Sequence, residues 1–181
     1  MIRKIVPSTD AKLRKISKPV GTIDKKVKGI IKDLKDTLFA QKEPEGVGLA
    51  APQIGKNIRI FLANYKGFTR LVINPEIIKV ERIKKTKHKK SEYGHEHEIL
   101  EGCLSLVGYY GPLKRSDKVT LKYLNEDGED MLETFSGFHA QIILHEVDHL
   151  DGILFVDKLI EQKKKLYRIN ENDEWEEVTI I

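Results

Sequence analysis

Apolar residues recur at steps of three and four in the segment that follows Asp24. This spacing places them on one face of a helix, and Asp24 is a residue type that caps helix N-termini. Pro44 and Gly46 stop the pattern, so the sequence predicts a helix that reaches about Gln41. The apolar face of this helix consists of Val27, Ile30, Ile31, Leu34 and Leu38.

Shorter runs of branched apolar residues indicate strands in the middle of the chain. Residues 58–63 and 71–80 are two such runs. Two more, at 119–124 and 131–135, flank the sequence Asn-Glu-Asp-Gly, which predicts a hairpin. We expect two further strands around a polar turn in the tail, residues 166–181.

Two other helices are predicted from their capping residues. Asp10 could cap a short helix over residues 11–16. Ser136 could cap a helix over residues 137–150, which Asp-Gly then closes. An early helix, a run of strands and a late helix predict an α+β fold, with mixed, largely antiparallel sheets around the late helix.

The length of 181 residues predicts a single domain over residues 1–181. Residues 82–97 are too polar to join a sheet, so we expect them to be an exposed basic insertion. The net charge is +4, and its basic runs indicate either solvated surface or contact with a polyanion such as ribosomal RNA.

The chain has one cysteine, no apolar run long enough for a membrane span, and no signal-peptide core at its N-terminus. We therefore expect a cytoplasmic protein without a membrane partner.

His145 and His149 are four residues apart in an apolar segment that is predicted to be helical. At this spacing both rings lie on one face of the helix and can bind one metal ion. Glu146 lies beside them, where a carboxylate can move protons to and from a water molecule activated by the metal. Asp148 points to a different side of the helix. There it could accept a hydrogen bond from the N–H group of a metal ligand, or it could form an ion pair.

A catalytic metal site usually has three protein ligands, so one ligand is still missing. The single cysteine, Cys103, is the obvious candidate, and the preceding Gly102 allows a sharp turn that would direct the sulfur. A buried, inert cysteine is the alternative interpretation. The sequence Gly-Val-Gly-Leu-Ala-Ala-Pro-Gln at 46–53 by itself predicts a loop followed by a buried strand, with the Gln53 amide as a possible donor.

Together the segments 46–53, 101–105 and 145–149 resemble the three signature motifs of the peptide deformylases, in the same order and at similar spacing. The resemblance covers nearly the whole chain. It implies a metal-dependent hydrolase that removes the formyl group from the N-terminal formyl-methionine of new polypeptides and releases formate. It also implies one divalent ion, with Fe²⁺ expected and Zn²⁺, Ni²⁺ or Co²⁺ as alternatives.

The resemblance assigns roles to individual residues. Glu146 would be the general acid and base, and Gln53 with the backbone N–H of Leu104 would stabilise the oxyanion. Glu101 and Arg115 would pair beside the cysteine. The implied metal ligands are Cys103, His145 and His149. The implied walls of the methionine pocket, which could equally be ordinary core, are Val47, Gly48, Ile99, Phe138 and Ile142.

The chain departs from the family pattern at Tyr110, where some members have an arginine that holds the substrate backbone, and at Gln141, where arginine is frequent. Two other functions remain open at this point. One is a metallopeptidase of the His-Glu-x-x-His type, although such enzymes usually take a third histidine or a glutamate as ligand. The other is an inactive relative that binds the ribosome.

Overall fold

The computed structural model describes residues 1–82, 100–171 and 174–179. No helix in this part of the chain is long and apolar enough to cross a membrane. Two short 3-10 helices are Ala11–Arg14 and Ala51–Ile54. The helices and strands are α1 (Lys25–Ala40), β1 (Gly48–Ala50), β2 (Ile60–Tyr65), β3 (Phe68–Glu81), β4 (Glu101–Cys103), β5 (Leu106–Gly111), β6 (Lys118–Leu124), β7 (Asp130–Ser136), α2 (Phe138–Leu150), α3 (Phe155–Glu161), β8 (Leu166–Ile169) and β9 (Trp175–Val178).

The strands form two sheets, which confirms the predicted α+β class. The first sheet has the order β1-β2-β3-β6-β7 and the second β4-β5-β8-β9, with antiparallel pairing between all neighbours. The second sheet contains the cysteine on β4. It also contains both strands of the tail, as the sequence predicted.

In the five-stranded sheet, β1, β2 and the start of β3 are apolar on both faces because their side chains alternate between two cores. On β2, Phe61 and Ala63 belong to the core of α2, whereas Ile60 and Leu62 belong to the core of α1. Alternate residues of a strand point to opposite faces, so this sheet lies between the two helices. Helix α2 is therefore buried, and His145, Glu146 and His149 are buried with it.

The predicted caps are confirmed at two helices and wrong at the third. The carboxylates of Asp10 and Asp24 accept backbone N–H groups at the starts of the first 3-10 helix and of α1. Ser136 does not cap α2. It is the last residue of β7 and pairs with Lys118, so the chain turns into the helix at Gly137, whose φ of 59° suits glycine.

The insertion predicted at residues 82–97 lies outside the described residues, except for Arg82, which is exposed. Helix α3 and strands β4 and β5 were not predicted.

The segment of residues 6–17, called here the N-terminal strap, runs past all three motifs. Three of its backbone N–H groups donate hydrogen bonds to backbone carbonyl groups at the motifs. Two of the acceptors are motif residues, and the third directly follows the last motif. These bonds are Val6 to Gln53 (2.8 Å), Ser8 to Ser105 (2.8 Å) and Ser17 to Leu150 (2.7 Å). The strap therefore ties together parts of the site that are far apart in sequence.

Candidate active site

Cys103 at the end of β4 faces His145 and His149 on α2. One ligand atom from each of the three residues lies within 4.8 Å of the other two. The Cys103 sulfur is 3.2 Å from Nε2 of His149. The structure thus brings together the three residues that the sequence suggested as ligands.

This cluster fits a divalent transition metal. Nδ1 of His145 lies 2.7 Å from Oε1 of Glu101, an arrangement that assigns the proton to Nδ1 and leaves Nε2 for an ion. Histidines bound to metals usually have such a carboxylate behind them. Two imidazoles and one thiolate suit iron, zinc, nickel or cobalt, and three protein ligands leave a coordination position open.

The charges around Cys103 favour its thiolate, which is the form that binds metals. Burial opposes ionisation, but the nearby His149 and His145 hold the pKa of the Cys103 thiol well below its usual value. Burial likewise opposes the charged form of His145. The negative charges of Glu101 and Cys103 outweigh this effect and raise the pKa of His145 well above its usual value.

The carboxylate of Glu146 is buried on α2 beside His145. Burial raises the pKa of Glu146 to about 7, and its Oε2 atom has no hydrogen-bond partner among the described residues. The carboxylate packs directly against Gly48, where any Cβ would overlap it. A carboxyl group with such a pKa and a free oxygen can exchange protons near neutral pH.

Gln53 is held with its amide NH₂ toward the cysteine. Its Oε1 accepts the backbone N–H of Ala50 at 2.8 Å. Its Nε2 is therefore directed to Ser105 Oγ at 3.2 Å and to the Cys103 sulfur at 3.5 Å. Leu104 lies between these two residues in sequence and lines the adjacent cavity.

Glu101 is the centre of a buried network behind His145. Arg115 donates to both oxygens of Glu101 at 2.6 Å, which confirms the predicted pair. Arg115 also donates to Asp148 at 2.8 Å, so Asp148 is an ion-pair partner. Although burial opposes ionisation, Arg115 and His145 hold the pKa of Glu101 at about 2. Gln141 donates to Glu101 at 3.1 Å, a contact that the sequence did not indicate.

We expect Arg115→Met to destabilise the protein strongly, because it leaves the buried Glu101 carboxylate without its main partner. Removing one member of a buried ion pair typically costs about 3–5 kcal/mol. Urea denaturation followed by circular dichroism measures the change. Arg168→Met is the control, since Arg168 forms an exposed pair with Glu176, and it should change the midpoint little. Equal effects of the two substitutions would contradict this account of the network.

A cavity of about 220 Å³ opens beside Cys103 and His145. Four of the five predicted pocket residues line it, namely Val47, Gly48, Phe138 and Ile142. The fifth, Ile99, lies outside the described residues. Gln53, Cys103, His145 and Glu146 form the polar part of the lining. Tyr109 and Tyr110 also line the cavity. Tyr110 is the position where some family members have an arginine, whereas no sequence pattern indicated Tyr109.

Comparisons with known proteins agree with this geometry. The family model described as polypeptide deformylase matches residues 2–165. The peptide deformylase of Pseudothermotoga lettingae is 44% identical over 158 residues, which are 87% of this chain and 82% of that protein. Peptide deformylase 2 of Clostridium acetobutylicum is 42% identical over 90% of this chain and 99% of that protein.

The fold is also similar to solved structures. The crystal structure of the peptide deformylase from Thermus thermophilus has a TM-score of 0.75 and 34% identity, over 90% of this chain and 89% of that one. The peptide deformylase from Legionella pneumophila has a TM-score of 0.74 and 39% identity, over 88% and 86%. On its sequence, its fold and the residues gathered at its cavity, the chain belongs to the polypeptide deformylase family.

Proposed function

We propose that this chain removes the N-formyl group from the N-terminal formyl-methionine of newly made polypeptides and releases formate. The observation that carries the proposal is one cluster: three metal-ligating side chains, a buried carboxyl group and a directed amide at the end of an apolar cavity. Hydrolysis of a formyl amide requires an activated water molecule, a proton carrier and stabilisation of the carbonyl oxygen.

Cys103, His145 and His149 would hold one divalent ion, and we propose Fe²⁺, with Zn²⁺, Ni²⁺ and Co²⁺ as the other ions that this ligand set accepts. When bound, the ion supplies Lewis-acid activation of water and of the formyl oxygen. Glu101 orients His145 through its 2.7 Å contact to Nδ1.

Glu146 is the proposed proton carrier. Its free Oε2 accepts a proton from the attacking water as the water oxygen bonds to the formyl carbon. The same proton then goes to the α-nitrogen as the C–N bond breaks, which yields formate and a free amine. A pKa of about 7 suits both steps, because the group can be deprotonated for the first and protonated for the second.

Gln53 and the backbone N–H of Leu104 are the proposed donors to the oxygen that becomes negatively charged during the attack. The contact of Ala50 with Oε1 of Gln53 fixes the orientation of this amide before substrate binds, and preorganised donors of this kind lower the barrier.

The apolar part of the cavity would hold the methionine side chain, with Val47, Gly48, Phe138, Ile142 and, by resemblance, Ile99 as its walls.

The assay that tests the function uses formyl-Met-Ala-Ser with protein purified without oxygen, together with analysis of the bound metal. We expect formate release at unchanged peptide length, with iron as the bound metal. Cleavage between residues would instead indicate a metallopeptidase, and intact peptide in the presence of bound metal would indicate an inactive relative.

We also propose a cytoplasmic location and nascent chains as partners, with the basic runs at residues 82–90 and 163–165 as sites of ribosome contact. The net charge of +4 supports attraction to RNA. Ribosome binding that is insensitive to salt would contradict this contact.

A further inference from the structure

Gln141 lies on α2 four residues before His145, so the two side chains are on the same face of the helix. Nε2 of Gln141 donates to Oε2 of Glu101 at 3.1 Å. The other oxygen of Glu101, Oε1, lies 2.7 Å from Nδ1 of His145. All three residues are buried. Two side chains from one helix face are therefore bonded to the same buried carboxylate.

The four contacts of the Glu101 carboxylate are divided evenly between its two oxygens. Arg115 donates to both oxygens at 2.6 Å. His145 is the second partner of Oε1, and Gln141 is the second partner of Oε2. An ionised carboxylate offers about four acceptor positions, so Gln141 supplies the partner that completes the set.

The contact between Glu101 and His145 is fixed from both sides along α2. Gln141 lies one turn before His145 and binds Glu101 directly. Asp148 lies nearly one turn after His145 and is linked to Glu101 through Arg115. The terminal torsion of a glutamate side chain is broad, so contacts must fix the direction of its oxygens. Without the Gln141 donor, the carboxylate would be held along the helix from one side alone.

We propose that Gln141 is a positioning residue, whose amide holds the Glu101 carboxylate so that Glu101 orients the His145 ring toward the metal. This inference rests on the proposed metal site. Partners that orient a metal-bound histidine typically contribute about 10–100-fold to metal affinity. Because Arg115 would remain in place and Gln141 is one neutral donor, we expect its contribution at the lower end of this range.

The test measures the zinc affinity of the metal-free protein by competition with a chelator, in the wild type and in Gln141→Met. Methionine keeps the length and the unbranched shape of the side chain but has no N–H donor. We expect the zinc affinity to fall about tenfold. Gln141→Arg supplies N–H donors again and should recover most of the affinity, because a guanidinium donates strongly to a carboxylate.

Gln41→Met is the matched control. The Gln41 amide also donates at 3.1 Å, to the backbone oxygen of Thr37, but it lies at the end of α1, on the other face of the five-stranded sheet. This variant should bind zinc as the wild type does. Equal weakening in Gln41→Met and Gln141→Met would contradict the proposal.

The remaining outcomes separate this inference from the proposed function. Unchanged zinc affinity in Gln141→Met would overturn it, and so would a loss that Gln141→Arg does not recover. A higher KM for formyl-Met-Ala-Ser at unchanged zinc affinity would assign Gln141 to the cavity wall alone, which also overturns it. If the wild type bound zinc but released no formate, the proposed function would fail, and the zinc affinities would still decide the role of Gln141. A wild type that bound no zinc would reject both.

Discussion

Glu146→Gln should abolish nearly all turnover while leaving the metal in place. The substitution keeps the size of the side chain and removes its ability to accept a proton. Proton transfer by a positioned group contributes about 10²–10⁴-fold. We expect a loss near or above the upper end of this range, because one carboxyl group is assigned both the base step and the acid step. Formate release and bound metal, measured on the same sample, test this expectation.

The matched control for this variant is Glu161→Gln, since Glu161 is exposed at the end of α3. It should leave both quantities unchanged. If Glu146→Gln kept its metal and more than about a tenth of the wild-type turnover, against the range for such proton transfer, the assignment would be wrong. Asp148 would then be the next carboxylate to test.

His149→Ala should lose the metal first and activity as a consequence. Only Cys103 and His145 would remain as ligands. Loss of a residue that merely supports a ligand weakens metal binding about 10–100-fold, so we expect loss of a ligand itself to exceed that range. Titration of the metal-free protein with Zn²⁺, monitored by a competing chelator, measures the affinity without relying on catalysis. His145→Ala should behave in the same way.

His139→Ala provides a control of the same residue type on the same helix. His139 packs against Phe68, with the ring centroids 4.3 Å apart, and is not part of the ligand cluster. Its removal should therefore leave zinc affinity within about twofold, far below the effect expected for a ligand. Equal weakening in both variants would show that damage to α2, rather than loss of a ligand, explains the result.

Short sequence patterns predicted the helices and strands whose formation depends on neighbouring residues. The apolar stripe and Asp24 predicted α1, and the four-residue step between His145 and His149 predicted that the two rings lie on one face of α2. Helix α3 was missed because its seven residues are too few for a clear period, and its N-cap position is Leu154, which gives no capping signal. Strand β5 was missed because it contains two glycines, which are rare in strands.

Contacts between distant segments were harder to predict. The hydrogen bond from Gln141 to Glu101 joins residues that are 40 positions apart, and no short pattern encodes it. The same holds for the packing of Tyr110 on Trp175. The grouping of Cys103 with His145 and His149 was an exception, because the motifs supplied what the spacing of residues could not: the identity of the cysteine that lies beside the two histidines.

The N-terminal strap has a consequence for how the site is assembled during folding. The strap is synthesised first, but its hydrogen-bond acceptors at Gln53, Ser105 and Leu150 appear much later along the chain. Contacts of such long range form late, because closing the intervening loops costs entropy. The Val6, Ser8 and Ser17 amides would then each be protected from hydrogen exchange only once their own acceptors are in place, and all three together only once all three motifs are in place. These amides would serve as reporters, remote from the proposed chemistry, of whether the three motifs have come together.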